Sequence, residues 1–261
     1  MWIDPGPEVY AEWRIDPEIR ALVSTRQEGV SQGPFQSLNL SFNVGDESQA
    51  VLSNRSRVAQ WFECAPADMI WAEQVHGGRV KRVTRTDAST GEAISGVDGL
   101  LTDEHHLILS LVFADCVPIF LASPEHGWVG VVHAGWRGTA AKIVESAVLE
   151  WVSLGISPRS IWAGIGPSIG PCCYEVDEPV IAPLRQALGS GDGPGWTANP
   201  RAGHYQLDLW QVNRQLLVQA GVWDQHIETS GLCTSCQPQW FFSHRRDQGR
   251  TGRIGSFICR R

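Results

Sequence analysis

Residues Leu107–Lys142 read LILSLVFADCVPIFLASPEHGWVGVVHAGWRGTAAK. The pattern predicts a strand, a turn and a second strand, then a Gly-rich corner running into a helix. Cys116 and His133 fall at the ends of the apolar runs, where packing alone rarely asks for a thiol or an imidazole. Chain-bending residues flank both, in Asp115-Cys116-Val117-Pro118 and His133-Ala134-Gly135, and also flank a further histidine in His76-Gly77-Gly78. Side chains set at such corners can converge from several strand ends. Imidazole nitrogen with thiolate sulfur suits zinc, and three protein ligands leave a fourth position open. His76, Cys116 and His133 are therefore one candidate metal set. Two other readings stay open: a buried cysteine with unrelated histidines, and a metal-free thiolate–imidazolium pair of Cys116 and His133 oriented by Asp115 or Gln74.

Outward from this stretch, Ala21–Gly45 reads as two strands joined by a turn and Ser48–Phe62 as a helix with Ser48 at its N-cap. Ile70–Thr84 reads as a strand broken at His76, and a strand begins at Asp98. Thr139–Leu154 has the clearest helical face. Helices are also expected near Pro179–Leu188 and Leu207–Ala220, and strands near Ile161–Gly166, Ile227–Leu232 and Arg253–Cys259, with Trp240–Arg246 a further candidate. The linker from Gly189 to Gly203 is the most loop-like segment. Paired strands with irregularly placed helices predict an α+β fold, mixed sheets with flanking helices, over a doubly wound one. Residues 1–20 are expected to be peripheral and 21–261 to form one catalytic domain.

Composition narrows the function. At 43% hydrophobic and 19% charged residues the 261-residue chain is globular. A net charge of −7 argues against a nucleic-acid or membrane-surface partner. No apolar run approaches the roughly 20 residues that span a bilayer, and the first residues lack the basic flank and apolar run of a signal peptide, so a cytoplasmic protein, monomer or homodimer, is expected. Seven cysteines at this density do not form a disulfide framework. Cys233-Thr234-Ser235-Cys236 is a lone CxxC without a second pair, which predicts no zinc knuckle. Arg137, opening a predicted helix, is a candidate anion ligand. Arg245, Arg246, Arg250 and Arg253 read as a solvated basic face.

Several motifs together carry a resemblance: Gln74-Val75-His76-Gly77, Val97-Asp98-Gly99-Leu100, Ala114-Asp115-Cys116-Val117-Pro118, His133-Ala134-Gly135-Trp136-Arg137-Gly138, and Gly164-Ile165-Gly166-Pro167 with Cys172-Cys173-Tyr174-Glu175-Val176. With Asn39-Leu40-Ser41 and Phe241-Phe242-Ser243 they resemble the YfiH-type laccase-domain family over nearly the whole chain. That family was first described as polyphenol oxidases and later as purine nucleoside phosphorylases. The resemblance implies an α+β fold likened to a bacterial toxin cysteine hydrolase. It also implies phosphorolysis of adenosine, inosine, guanosine or methylthioadenosine with inorganic phosphate, and accompanying adenosine deamination. Zinc, with copper as the alternative, would sit on His76, Cys116 and His133. Asn39, Ser41, Asn43, Gln74, Arg137 and Cys172 become candidate substrate or phosphate ligands, and Asp115 or Glu175 a proton carrier. One departure stands out: Ser243-His244 occupies the place of a usual Ser-Tyr. A multicopper oxidase needs many imidazoles, whereas this chain has eight histidines and no His-x-His pair, so the phosphorylase reading is preferred to a copper oxidase.

Overall fold

In the computed structural model, which describes residues 1–6, 9–89, 91–189 and 195–261, the Leu107–Lys142 stretch holds three strands. In chain order the elements are β1 (Trp2–Ile3), β2 (Tyr10–Trp13), β3 (Ile19–Ser24), α1 (Ser48–Trp61), β4 (Met69–Glu73), β5 (Val80–Arg82), α2 (Arg85–Ala88), β6 (Ile94–Ser95), β7 (Gly99–Thr102), β8 (Ile108–Phe113), β9 (Val117–Ser123) and β10 (Trp128–Ala134). Then come α3 (Trp136–Ala140), α4 (Ile143–Ser153), β11 (Trp162–Ile165), β12 (Glu175–Asp177), α5 (Glu178–Leu188), β13 (Trp196–Ala198), β14 (His204–Leu207), α6 (Leu209–Gln219), β15 (Ile227–Thr229) and β16 (Ile254–Arg260).

The strands form a seven-stranded sheet, β1-β2-β3-β16-β8-β4-β6, a six-stranded sheet, β15-β11-β9-β10-β7-β5, and a small sheet, β12-β14-β13. The two large sheets are mixed: β4 runs parallel to β8 and β6, β11 to β15, and β5 to β7, while the remaining pairs are antiparallel. The fold is α+β, as the strand pairing predicts.

Side-chain alternation assigns the layers. In β9, Phe120 and Ala122 face the seven-stranded sheet, joining Leu109, Leu111, Phe113 and Trp13 in one core. Val117, Ile119 and Leu121 face the opposite way, onto Ile143, Val144, Trp151, Leu184 and Leu216 of the helices. Strands covered on both faces read as continuous apolar runs, which is why LILSLVF and VPIFLAS carry no period of two. Beyond the seven-stranded sheet, Val58 of α1 packs with Leu38, Leu40, Ile108 and Phe257.

Several expectations are corrected. The N-terminal segment is not peripheral: Trp13 is 1% exposed, stacks on Phe120 at 6.3 Å and donates its indole N–H to Glu228. Leu38–Val44 is a loop; Leu38 and Leu40 are buried, and the Asn39 side chain satisfies the backbone that a neighbouring strand would otherwise satisfy. Helix α1 caps on Glu47, without a side-chain cap. The helix expected from Thr139 is two, α3 and α4, because Lys142 turns left-handed at φ 56°. The loop-like linker contains β13 and part of its hairpin with β14, while its residues 190–194 lie outside the described ones. Trp240–Arg246 is a turn closed by the Arg246 guanidinium, which donates to the carbonyls of Thr234 and Phe241. Among the described residues no helix is long and apolar enough to cross a membrane.

Candidate active site

Two of the predicted donors sit where the chain crosses from the larger sheet to the smaller one, and the third lies on a strand of the smaller sheet. Residues 114–116 carry the chain from β8 of the larger sheet to β9 of the smaller, presenting Cys116. The loop from β4 to β5 makes the same crossing and holds His76, at φ 60°. His133, near the end of β10, points between the sheets beside Phe113, with ring centroids 5.2 Å apart. One ligand atom from each of the three residues lies within 4.8 Å of the others. Donors about 2.0–2.3 Å from a common tetrahedral centre would sit roughly 3.3–3.8 Å apart, so a modest closure completes a metal site.

Asp98 organises this cluster, and the residue reading did not single it out as functional. Its side chain is fully buried. Oδ1 accepts from the His76 backbone N–H (2.9 Å) and from His133 Nδ1 (2.9 Å). Oδ2 accepts from the backbone N–H groups of Gly77 (2.7 Å) and Val75 (3.2 Å). One carboxylate thus fixes the loop of one histidine and the tautomer of the other, leaving His133 Nε2 for Cys116 or a metal. The available signal was an Asp-Gly opening a buried strand in the motif Val97–Leu100.

Burial alone would push the Cys116 thiol up, but the His133 charge and hydrogen bonds from both imidazoles outweigh it and bring the thiol down to about 6. Burial would likewise lower His133, yet the Cys116 charge and the Asp98 hydrogen bond raise it to about 9. Asp98 resists its own burial and stays below the usual carboxylate range, chiefly through the His133 hydrogen bond. The two shifts have the same cause, a proton shared between the Cys116 sulfur and the His133 imidazole. A divalent cation would take the place of that proton, because a histidine ligates through a neutral ring nitrogen. Gly135 permits the close approach: a Cβ there would stand 2.8 Å from Cys116 Sγ.

The cluster lies in a cavity of about 500 Å³, within the size range of small-molecule sites. Phe113, Ile169, Trp136, Tyr174 and Leu209 supply apolar and aromatic walls; Ser41, Asn43, Arg137, His244, Arg245 and Arg253 supply polar groups. Arg137 stacks on Trp136, and Arg245 lies 5.0 Å from the centre of the Tyr174 ring. Burial raises the Tyr174 phenol, keeping it a hydrogen-bond donor. The basic run read as a solvated face therefore divides: Arg245 and Arg253 line the cavity, and Arg246 is tied to Asp247 and backbone carbonyls. The signal lay in neighbouring Phe241-Phe242, whose burial draws this segment inward.

Five predicted site residues have different surroundings from those expected. Asn39 is buried outside the cavity, where its amide binds the Ser41 backbone, Asp46 and the Arg253 N–H. Gln74 lines the cavity but both ends of its amide bond the Val112 backbone at 2.8 Å. Asp115, at φ 82°, accepts hydrogen bonds on its carboxylate from Thr234, Ser243 and the Arg245 N–H at 2.7, 3.1 and 2.6 Å, which holds the turn before Cys116. Cys172 does not line the cavity; its thiol meets that of Cys236 at 3.5 Å. Glu175 is likewise turned away, toward His204 and Asn199.

Fold and cavity together define an α+β protein with an inter-sheet His–Cys–His pocket rimmed by guanidinium groups. A family model described as multi-copper polyphenol oxidoreductase laccase matches residues 20–261, and the chain belongs to this laccase-like YfiH family. It is 46% identical over 245 residues to a purine nucleoside phosphorylase YlmD of Geobacillus stearothermophilus, covering 92% of this chain and 89% of the relative. A Bacillus subtilis protein of the same name is 42% identical over 248 residues, covering 92% and 88%. The crystal structure of YlmD from Geobacillus stearothermophilus matches with TM-score 0.94 at 42% identity, covering 99% of this chain and 98% of that one. That of the Bacillus licheniformis hypothetical protein YfiH matches with TM-score 0.93 at 40% identity, covering 100% and 99%.

Proposed function

We propose that this cavity performs phosphorolysis of purine ribonucleosides, with adenosine, inosine, guanosine and methylthioadenosine as the substrate class. The observation that carries the reading is the convergence of the His76–Cys116–His133 cluster with Arg137, Arg245 and Arg253 in one aromatic-walled cavity. The names of the relatives point the same way. In the reaction a phosphate oxygen bonds the anomeric carbon, the glycosidic C–N bond breaks, and the departing purine takes up a proton.

The guanidinium groups bind the phosphate dianion and hold it in line with the anomeric carbon. Ser41 and Asn43 extend that polar rim. Trp136 and Tyr174 offer faces for the purine. The protonated Tyr174 hydroxyl and the His244 imidazole are positioned along the wall to donate hydrogen bonds to the leaving base. Asp115 and Gln74 act as positioning residues, through the turn at Cys116 and through β8. His76, Cys116 and His133 would hold a divalent metal, zinc or copper, which supplies Lewis-acid polarisation when bound. Adenosine deamination would be a separate hydrolytic step in the same cavity: a water at the base, not at the phosphate position, adds to the purine C6, ammonia leaves and inosine is formed.

A second reading has one observation in its favour. Cys116, His133 and Asp98 are aligned as nucleophile, base and orienter, the arrangement of a metal-free cysteine hydrolase. Incubating purified protein with inosine, with and without phosphate, separates the two. Phosphorolysis gives hypoxanthine and ribose 1-phosphate only when phosphate is present; base release at the same rate without phosphate, or no release at all, overturns it.

A further inference from the structure

The CxxC at Cys233–Cys236 does have a second pair, in space. Cys172 and Cys173 lie opposite it, and one sulfur from each of the four residues falls within 4.8 Å of the others. Cys236 Sγ stands 3.5 Å from Cys172 Sγ and 3.4 Å from Cys173 Sγ. A tetrahedral zinc–thiolate centre with bonds of about 2.3 Å has sulfur–sulfur edges of about 3.8 Å, so the cluster already has nearly those dimensions. These are not disulfide distances, which are about 2.05 Å. With Cys236 equally near two thiols, no single pair is singled out for bonding.

The backbone builds this arrangement. Ser168 and Cys233 form an isolated parallel bridge, with Ser168 N–H on the Leu232 carbonyl and Thr234 N–H on the Ser168 carbonyl, at 3.1 and 3.0 Å. Past that bridge each loop makes a turn, closed on one side by Cys173 N–H on the Gly170 carbonyl. The Gly170 N–H donates to Cys233 Sγ at 3.3 Å, the kind of contact that orients a thiolate and stabilises its charge. Only glycine fits there, since a Cβ would meet Trp210 at 2.8 Å.

We propose that Cys172, Cys173, Cys233 and Cys236 bind a structural zinc ion, separate from the His–Cys–His cluster. The ion would clip two loops that both reach the cavity. One carries Tyr174 directly after Cys173. The other carries Thr234, whose hydroxyl holds Asp115 at 2.7 Å beside Cys116. Four sulfur ligands close the coordination shell, so the ion has a structural and not a chemical role.

The test uses the full chain purified with reductant, in a C116A/H133A background that disables the first cluster. One equivalent of zinc per chain is expected to remain. Cobalt substitution should give an intense sulfur-to-metal charge-transfer band, and X-ray absorption should find four sulfur neighbours at about 2.3 Å. Adding C172S/C236S should abolish the equivalent and the band. Should that variant not fold, alkylation of the background protein decides: zinc should shield four thiols that a chelator exposes. Absence of bound metal, coordination by nitrogen or oxygen, a band surviving C172S/C236S, or alkylation indifferent to zinc would each overturn the proposal.

Discussion

Replacing Asp98 with asparagine tests whether one buried carboxylate coordinates the whole cluster. Asp98 accepts four hydrogen bonds, two on each oxygen. Asparagine keeps one oxygen and turns an NH2 toward two N–H donors. If the retained oxygen serves His76 and His133, the Val75 and Gly77 bonds are lost. At about 1.5–3 kcal/mol for each bond to a charged acceptor, the loss is about 3–6 kcal/mol, a large share of the about 5–15 kcal/mol that holds a protein folded. His133 also loses its charged partner, which at a metal-bound histidine lowers metal affinity by about 10–100-fold. Denaturant unfolding of chelated protein reads the first quantity, and competition against a chromophoric chelator reads the second. An Asp98→Asn protein within about 0.5 kcal/mol of wild type, the scatter expected for an inconsequential surface change, with unaltered metal affinity would refute the reasoning.

Three further outcomes follow from the same geometry. The Arg137 side chain is exposed and its guanidinium makes no hydrogen bond among the described residues, so Arg137→Ala should leave unfolding unchanged while raising the KM for phosphate about 10–100-fold, as the loss of one charge-assisted contact implies; initial rates at varied phosphate check it. Gly135→Ala puts a methyl against Cys116 Sγ and should lower metal occupancy at the His–Cys–His cluster without altering the far-ultraviolet circular dichroism. Asp247 resists burial through its hydrogen bonds with Arg246 and Thr251 and stays below the ordinary carboxylate range. A depressed folded-state value means that its stabilisation is complete above the unfolded-state pKa of about 3.9. It is lost as pH falls from there through the folded-state value, so Asp247→Asn should flatten the acid limb of a stability–pH curve.

Much of this was legible in the sequence. The donor set was readable because cysteine and histidine at bent strand ends have few packing reasons to be there. The α+β class followed from paired strands, and the helices near Pro179 and Leu207 from their apolar faces. What could not be read came from pairings distant in sequence. Asp98 read only as the start of a strand because its four partners lie elsewhere in the chain. Leu38–Val44 mimicked a strand because buried Leu38 and Leu40 alternate with polar residues that bond the loop itself. Arg245 and Arg253 looked solvated because charge runs usually are, whereas the buried Phe241 and Phe242 draw their segment to the cavity. Cys233 and Cys236 looked unpartnered because their partners lie some 60 residues earlier, as in the 64-residue separation of Cys172 from Cys236.

The central claim is that a metal held by His76, Cys116 and His133 is required for phosphate-dependent cleavage of purine nucleosides. It is tested most directly by measuring hypoxanthine release from inosine and phosphate by chelator-stripped wild type and Cys116→Ala protein as zinc is added back. Wild type should regain activity in step with metal bound, and Cys116→Ala should stay inactive at every zinc concentration while remaining folded. A Cys116→Ala enzyme that turns over at the wild-type rate would contradict the account.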